Sequence, residues 1–156
     1  YQMAEKLTLG ARLGCEWRQR EGERSQTAPS IELTARYLYA PQSFLALGFT
    51  HALEEVSNTV LYTDEQVDRC FFNVQHTLTA KLVATGSFTY APAQLKGRRT
   101  WHDIDETSTR AGVSLNYLPT KNWMVSATCD VDRIVSDDAN REQTRTRIGL
   151  GAGYTF

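Results

Sequence analysis

The chain has 156 residues, of which 41% are hydrophobic, and its 17 Lys and Arg nearly balance its 18 Asp and Glu. This length fits one domain, and the absence of a basic excess argues against a nucleic-acid-binding protein. The mean hydropathy is −0.42, and no apolar run reaches the roughly 18 residues that a membrane helix needs. These values exclude a helical membrane protein and by themselves suggest an ordinary soluble domain.

Eight segments alternate between apolar and polar residues, and this alternation is the main structural signal. Successive side chains of a strand point to opposite sides, so each segment has one apolar and one polar face. In chain order the segments cover residues 7–17, 31–39, 45–50, 70–79, 83–91, 108–117, 123–132 and 143–156. Most approach the roughly 9–11 residues that a tilted strand needs to cross a bilayer. No segment shows helical apolar spacing of comparable quality.

The connections between these segments alternate in length. Long ones cover residues 18–29, 54–68, 92–106 and 134–142, and short ones cover residues 40–42, 80–82 and 118–121. Long outer loops and short periplasmic turns are typical of an up-and-down barrel, and closure leaves no edge exposed to lipid. The sequence therefore predicts an all-β protein, an eight-stranded antiparallel up-and-down transmembrane β-barrel. Residues 1–156 would form this single outer-membrane domain, with long loops extracellular and both termini periplasmic.

Charged residues recur on the predicted interior face. They are Arg12, Glu16, Glu32, Arg36, Arg110, Asp130, Asp132, Arg145 and Arg147. In a closed barrel the first strand neighbours the second and the eighth, so the charges of those three strands would form one neighbourhood. Eight strands leave an interior just wide enough for side chains to fill, and paired buried charges are tolerable. We therefore expect a salt-bridged polar lumen that blocks flow, with a narrow selective pore as the alternative.

Glycines and aromatic residues complete the barrel pattern. Gly149, Gly151 and Gly153 lack the following helix of a phosphate-binding loop and are expected to make room for large side chains from across the lumen. Outward aromatic residues should form two girdles at the membrane interfaces. These are Trp17, Phe49, Phe72 and Tyr90 toward the long connections, and Tyr37, Tyr39, Tyr117, Trp123, Tyr154 and Phe156 toward the short turns.

Nucleophiles and metal ligands are sparse. Cys15, Cys70 and Cys129 all fall on outward faces, where small apolar side chains would contact lipid. A hydrolytic triad needs serine, histidine and an acid to converge, and outward His51 and His76 have no serine two residues away on the same face. His102 lies in a loop beside carboxylates that could bind a divalent cation, but such loop groups are more often solvated. We expect no catalytic residues, no metal and no cofactor.

The predicted outer loops are polar and mixed in charge, which is typical of solvated loops. The alternative is a surface for adhesion, lipopolysaccharide or a partner protein. One apolar patch, Val60-Leu61-Tyr62, interrupts the acidic connection and is the first candidate for such a contact.

The second half of the chain, about residues 68–156, resembles the C-terminal strands of bacterial outer-membrane β-barrel proteins of the porin type. Tyr117 and Trp123 flank a short turn, an Asp- and Ser-rich loop follows, and an arginine-rich last strand ends in Phe156. The resemblance implies the outer membrane of a Gram-negative bacterium and contact between the C-terminal strand and the barrel-assembly machinery. Many members of this family are longer, so the chain could also supply the closing strands of a larger barrel.

These observations predict a non-enzymatic integral outer-membrane β-barrel that acts as a structural or surface interaction protein through its long outer loops. Its expected partners are outer-membrane lipid and lipopolysaccharide, with a possible protein partner at the loops. A small-solute porin-like channel is the first alternative. A lipid-directed enzyme and a lipocalin-like carrier are further alternatives, and the carrier would leave glycine-rich polar faces outside.

Overall fold

Eight long strands and one short strand make up the computed structural model, which describes residues 2–4, 6–18, 26–55, 62–97 and 102–155. The strands are β1 (Gln2–Ala4), β2 (Leu7–Arg18), β3 (Gln26–Ala40), β4 (Ser43–Glu55), β5 (Tyr62–Thr79), β6 (Leu82–Gly97), β7 (Ile104–Tyr117), β8 (Trp123–Ser136) and β9 (Gln143–Tyr154). A single 3₁₀ turn, Ala139–Arg141, precedes β9. None of the described helical structure is long and apolar enough to cross a membrane.

Every strand pairs antiparallel with its neighbours in the chain, and the sheet order is β1 to β9 in sequence order. The eight long strands, their direction and their up-and-down order confirm the predicted fold class. Across the described residues the ladder begins at β1 and β2 and ends at β9, without a backbone pairing between β9 and β2.

The register confirms which residues share a face. Phe49, Cys70 and Tyr90 are paired in a row across β4, β5 and β6. The next row, on the opposite face, contains Gly48, Phe71 and Thr89 and continues into the other strands. Since paired residues point to the same side of a sheet, the predicted polar face and the predicted apolar face each run across the whole sheet.

The predicted long connections are shorter in the structure, because the strands extend into them. β5 begins at Tyr62, β6 continues to Gly97 and β7 begins at Ile104, so much of the predicted loops at 54–68 and 92–106 is paired strand. Beyond the bilayer both faces of a hairpin meet water or protein, so the apolar–polar alternation fades although backbone pairing continues. Loss of alternation was therefore a poor sign of where the strands end.

Large apolar side chains lie exposed on one face and form a band. Ile148 and Leu150 on β9 are 80% and 86% exposed. On β5 the band covers residues 70–78, which is about the 9–11 residues of one tilted crossing. Toward the long connections, polar pairs such as His51 and Asp68 replace the apolar side chains on this face. This band is the surface that would contact lipid.

At the short-turn end, the connection between β3 and β4 shows how a turn sets the register. Gln42 has a positive φ of 57°, and its carbonyl accepts a hydrogen bond from Gln75 Nε2 at 2.8 Å. The buried Ser43 hydroxyl accepts a hydrogen bond from the Thr77 amide at 3.0 Å. The turn is thereby tied to β5 as well as to the strands it joins.

Candidate functional site

The nine predicted lumen charges all lie on one face of the sheet, as the register of β2, β3 and β7–β9 shows. They form two groups at opposite sides of the described sheet, one on β2–β3 and one on β7–β9, rather than one neighbourhood. The single neighbourhood was expected from pairing between the first and last strands, which the described ladder does not contain.

The group on β7–β9 is built around one carboxylate, and we call Arg110, Asp132, Arg145 and Arg147 the Asp132 cluster. Arg110 Nε donates to Asp132 Oδ1 at 2.6 Å. Arg145 Nη2 and Arg147 Nη2 each donate to Oδ2 at 3.0 Å. Asp132 is only 6% exposed, whereas the three arginine side chains are 51–59% exposed.

Strand register explains why these four residues meet. Arg110 and Arg145 are the direct cross-strand partners of Asp132 on β7 and β9, and Arg147 lies one step further along the same face of β9. Directly opposed side chains have Cβ atoms roughly 4.5–5.5 Å apart, which is within reach of a guanidinium. The cluster is therefore a consequence of three strands in fixed register.

The neighbouring carboxylate, Asp130, is the register partner of Gly112 and Arg147. A Cβ at Gly112 would lie 2.5 Å from Asp130 Oδ1 and 3.0 Å from Ser87 Oγ. Glycine at this position gives the Asp130 side chain room to lie against β7. With both carboxylates counted, the three arginines leave this part of the face with one net positive charge.

The group on β2–β3 is weaker. Arg12 Nη1 lies 3.1 Å from Glu32 Oε2, with Arg12 largely exposed. Arg36 stacks on the Phe44 ring with its guanidinium carbon 4.1 Å from the ring centroid. Glu16 shares this face at an intermediate exposure. Exposed ion pairs contribute at most about 1 kcal/mol each, so this group places charge at the surface without stabilising the sheet strongly.

A second feature of the same face lies at the long-connection end and was missed by the sequence analysis. Tyr62, Leu95 and Ile104 form a buried apolar cluster, and Arg141 lies over the Tyr62 ring, 5.6 Å from its centroid. Arg141 Nε also donates to Glu106 Oε2 at 2.7 Å. These five residues with Glu65 are called the rim cluster. The sequence predicts loops at these positions because the alternation is weak there, although Glu65 and Glu106 continue the interior face of their strands.

Burial shapes the electrostatics of the rim cluster. Burial raises the pKa of Glu65, and the nearby carboxylates Glu106 and Glu54 raise this pKa further, while Arg141 and Arg69 oppose the shift. Glu54 itself is bound by Arg69 at 3.0 Å. The rim cluster therefore lies in a locally acidic region, in contrast to the basic Asp132 cluster.

The predicted girdle residues within the described chain share the apolar face, and Phe156 lies outside the described residues. At the short-turn end Trp123 and Tyr154 pack with ring centroids 5.2 Å apart. Tyr39 and His76 stack at 5.8 Å and share a 2.9 Å hydrogen bond. These rings are placed where a headgroup interface would lie.

Residues that could have formed a catalytic or metal site do not converge. Within the described ranges no three His, Cys, Asp or Glu side chains are placed to hold a metal ion. The Asp103 carboxylate accepts hydrogen bonds from Lys96 Nζ at 2.8 Å and from the Gly97 amide at 3.0 Å. These hydrogen bonds lower the pKa of Asp103. His51 Nδ1 donates to Asp68 Oδ1 at 2.6 Å. The three cysteines are unpaired thiols.

The structure bears on two smaller expectations. In the apolar patch at 60–62, Tyr62 is buried rather than available for an external contact, because β5 begins there and packs it against β6 and β7; residues 60 and 61 lie outside the described chain. For Gly149 and Gly151, the nearest side-chain atoms belong to Thr128 and Ser126 on the adjacent strand. At these two positions glycine makes room for the hydroxyl side chains of the adjacent strand β8.

Comparison with solved structures identifies the fold. The chain is similar to a loop-deletion mutant of OmpT, an outer membrane protein of Vibrio cholerae, with 16% identity and a TM-score of 0.61 over 97% of this chain. The chain spans about half (50%) of that protein's length.

Ail, the attachment invasion locus protein of Yersinia pestis, is similar at 16% identity over 96% of this chain and 95% of its own, with a TM-score of 0.36 in the crystal. Its structure in a phospholipid nanodisc gives a TM-score of 0.39, covering 97% of this chain and 99% of that one. No family model matches the sequence, and no curated protein is similar to it by sequence. Strand order, the exposed apolar band and the OmpT comparison together show that this chain has the fold of a bacterial outer-membrane β-barrel protein.

Proposed function

We propose that this chain forms wall strands of a porin-like outer-membrane channel for small polar solutes. The observation that carries the proposal is the Asp132 cluster: its three arginines lie on the lumen face, yet each keeps about half of its side chain in contact with solvent. In a barrel filled by its own side chains these groups would be covered. The described strands leave this polar face uncovered, which supports a solute path rather than a closed plug.

The two edges of the sheet support a wider barrel. In the part of the chain that the structure describes, β9 pairs only with β8. An unpaired edge is not tolerated in hydrocarbon, so β9 must gain a partner in the membrane. Similarity to half of OmpT favours additional wall strands over direct pairing of β9 with β2. Barrels with about twice as many strands leave an aqueous channel.

The same proposal includes the placement in the membrane. The long-connection end would be extracellular and the short turns periplasmic, with the apolar band in contact with outer-membrane lipid and lipopolysaccharide. The C-terminal strand β9 would be recognised and bound by the barrel-assembly machinery. A single domain over residues 1–156, the lack of enzymatic activity and the lack of a nucleic-acid partner stay predictions.

A surface interaction role is the second candidate, favoured by one observation. β5, β6 and β7 extend beyond the apolar band and are held together by Tyr62, Leu95 and Ile104. Such a packed projection could present a protein partner with a rigid surface at low entropic cost. This role and the channel role are compatible, since they use opposite ends of the strands.

Single-channel recording in planar bilayers tests the proposal, using the protein purified from membranes with whatever strands complete its barrel and heat-modifiable gel mobility as the control for folding. We expect discrete open steps whose conductance changes in Arg145→Ala. Arg133→Ala is the matched control, because Arg133 neighbours Asp132 but lies on the opposite face. Stable insertion without steps would contradict the channel and leave the surface interaction role as the better account.

A further inference from the structure

We propose that the Asp132 cluster is a binding site for a small oxyanion, a phosphate or carboxylate group of a permeating solute. This inference rests on the proposed channel function and names the class of solute that the lumen would favour.

The hydrogen bonds of the cluster leave most of its donors available. Asp132 accepts from Arg110 Nε, from Nε and Nη2 of Arg145 at 3.3 and 3.0 Å, and from Arg147 Nη2. Each guanidinium carries about five N–H donors in a planar fork. Three guanidiniums therefore converge on one carboxylate through four of their N–H groups. Their side chains remain half exposed on this face.

Burial gives the cluster a defined orientation. The Asp132 side chain is 8% exposed and lies beneath the three arginines. The buried Asp132 carboxylate attracts all three guanidiniums and holds them close together despite their mutual repulsion. Because their positions are set before a ligand arrives, an anion would lose less free energy in ordering them.

The chemistry of the arginine side chains and the net charge of the cluster indicate which ligand it would bind. Arginine forks match carboxylate and phosphate oxygens in two-point hydrogen bonds. Asp130 is the one other carboxylate paired with this part of β9 in the described register, and it still leaves the surroundings with one net positive charge. In the row of paired residues that runs across the sheet from Asp132, Thr89 and Phe71 are uncharged. The cluster faces the lumen rather than lipid, which favours a solute over a lipid headgroup.

The experiment measures the chloride current of the reconstituted protein while inorganic phosphate is added. We expect phosphate to reduce the chloride current of the wild type in a saturable way. Asp132→Asn should weaken this block about tenfold, since each charge-assisted hydrogen bond lost loosens the arginines. The direction is diagnostic: the substitution removes a negative charge, so attraction by net charge alone would strengthen the block.

Arg145→Lys is the second variant, because it keeps the charge but loses the fork, and it should also weaken the block if binding uses two-point contacts. Arg133→Ala, on the opposite face, should leave the block unchanged. A stronger block in Asp132→Asn, or an unchanged block in Arg145→Lys, would overturn the oxyanion site while leaving the channel intact.

If the wild type carries no current, the channel proposal fails, and the site is judged by calorimetric titration of phosphate into the folded protein in detergent. Saturable heat that is lost in Asp132→Asn and Arg145→Lys would support the site as a binding site without transport. Absence of saturable heat would overturn it. Bilayers containing anionic lipid test the remaining source: a weaker phosphate block in these bilayers would indicate that a lipid headgroup, and not a solute, occupies the site.

Discussion

The rim cluster and the Asp132 cluster lie on the same face of one sheet, but they differ in burial and in charge. Residues of the rim cluster are enclosed, with Leu95 fully buried, and its charges are acidic and partly desolvated. The Asp132 cluster is basic and open. Along β7 the two are separated by four residues, from Glu106 to Arg110, or roughly 13 Å at about 3.3 Å per residue. One face can therefore hold a packed support at one level and a solvated charged surface at another.

The difference lies in what covers each cluster. At the rim, the connection from β8 to β9 folds back and places Arg141 on Glu106 and Tyr62. Nothing in the described chain lies over Arg145 and Arg147 in the same way. We expect stability to depend on the rim cluster, and solute selectivity to depend on the Asp132 cluster.

The largest expected effect is at Leu95. Leu95→Ala should lower the free energy of unfolding by about 2–5 kcal/mol, because it leaves a cavity in the apolar cluster. The measurement is urea unfolding in detergent followed by tryptophan fluorescence. Leu150→Ala is the matched control, since Leu150 is 86% exposed on the lipid-facing band. Equal losses in the two variants would contradict a packed rim.

Two arginines provide a direct comparison between the clusters. Arg141→Ala removes a 2.7 Å hydrogen bond from a Glu106 side chain that is only 11% exposed, and should lower the free energy of unfolding by about 1–3 kcal/mol. Arg145→Ala leaves Asp132 bound by Arg110 and Arg147. Because it removes only a half-exposed partner, it should cost less than about 1 kcal/mol. The same unfolding assay measures both. A larger loss in Arg145→Ala would reverse the assignment of roles.

The smallest expected effect is a pH dependence at Glu65. Its folded pKa is raised, so its ionisation destabilises the folded state, beginning as pH rises above the unfolded value of 4.5 and complete above the folded pKa. Glu65→Gln should therefore stabilise the protein slightly at neutral pH, by less than about 1 kcal/mol, and have little effect below pH 4.5. Glu32→Gln, on the open part of the same face, is the control. Stabilisation by Glu65→Gln that is equal at all pH values would exclude this cause.

Much of the fold could be predicted because the two sides of each strand meet different surroundings. Along β9, apolar Ile148 and Leu150 alternate with Arg147 and Gly149, and this contrast persists only where one side contacts lipid. The face of each charged residue followed directly from that alternation. At Tyr62, Leu95 and Ile104 the contrast between the two sides disappears. The sequence therefore predicts loops at positions that the structure places in strands.

The grouping of charges could not be predicted in the same way. Asp132 meets Arg110 and Arg145 because β7, β8 and β9 are held in one register, and a shift of one residue would move every side chain to the other face. The single predicted neighbourhood depended on which strands are adjacent at the edges of the sheet. Adjacency of distant strands is not encoded in local spacing.

By itself, the sequence determined the strand class, the up-and-down order and the face on which each residue lies, because these depend on the period-two geometry of a strand. Only the tertiary structure decided that Asp132 gathers three arginines, that Arg141 closes the rim over Tyr62, and that the described ladder ends with β9 unpaired on one side. Those outcomes depend on register and on packing between elements far apart in the chain, which no single segment specifies.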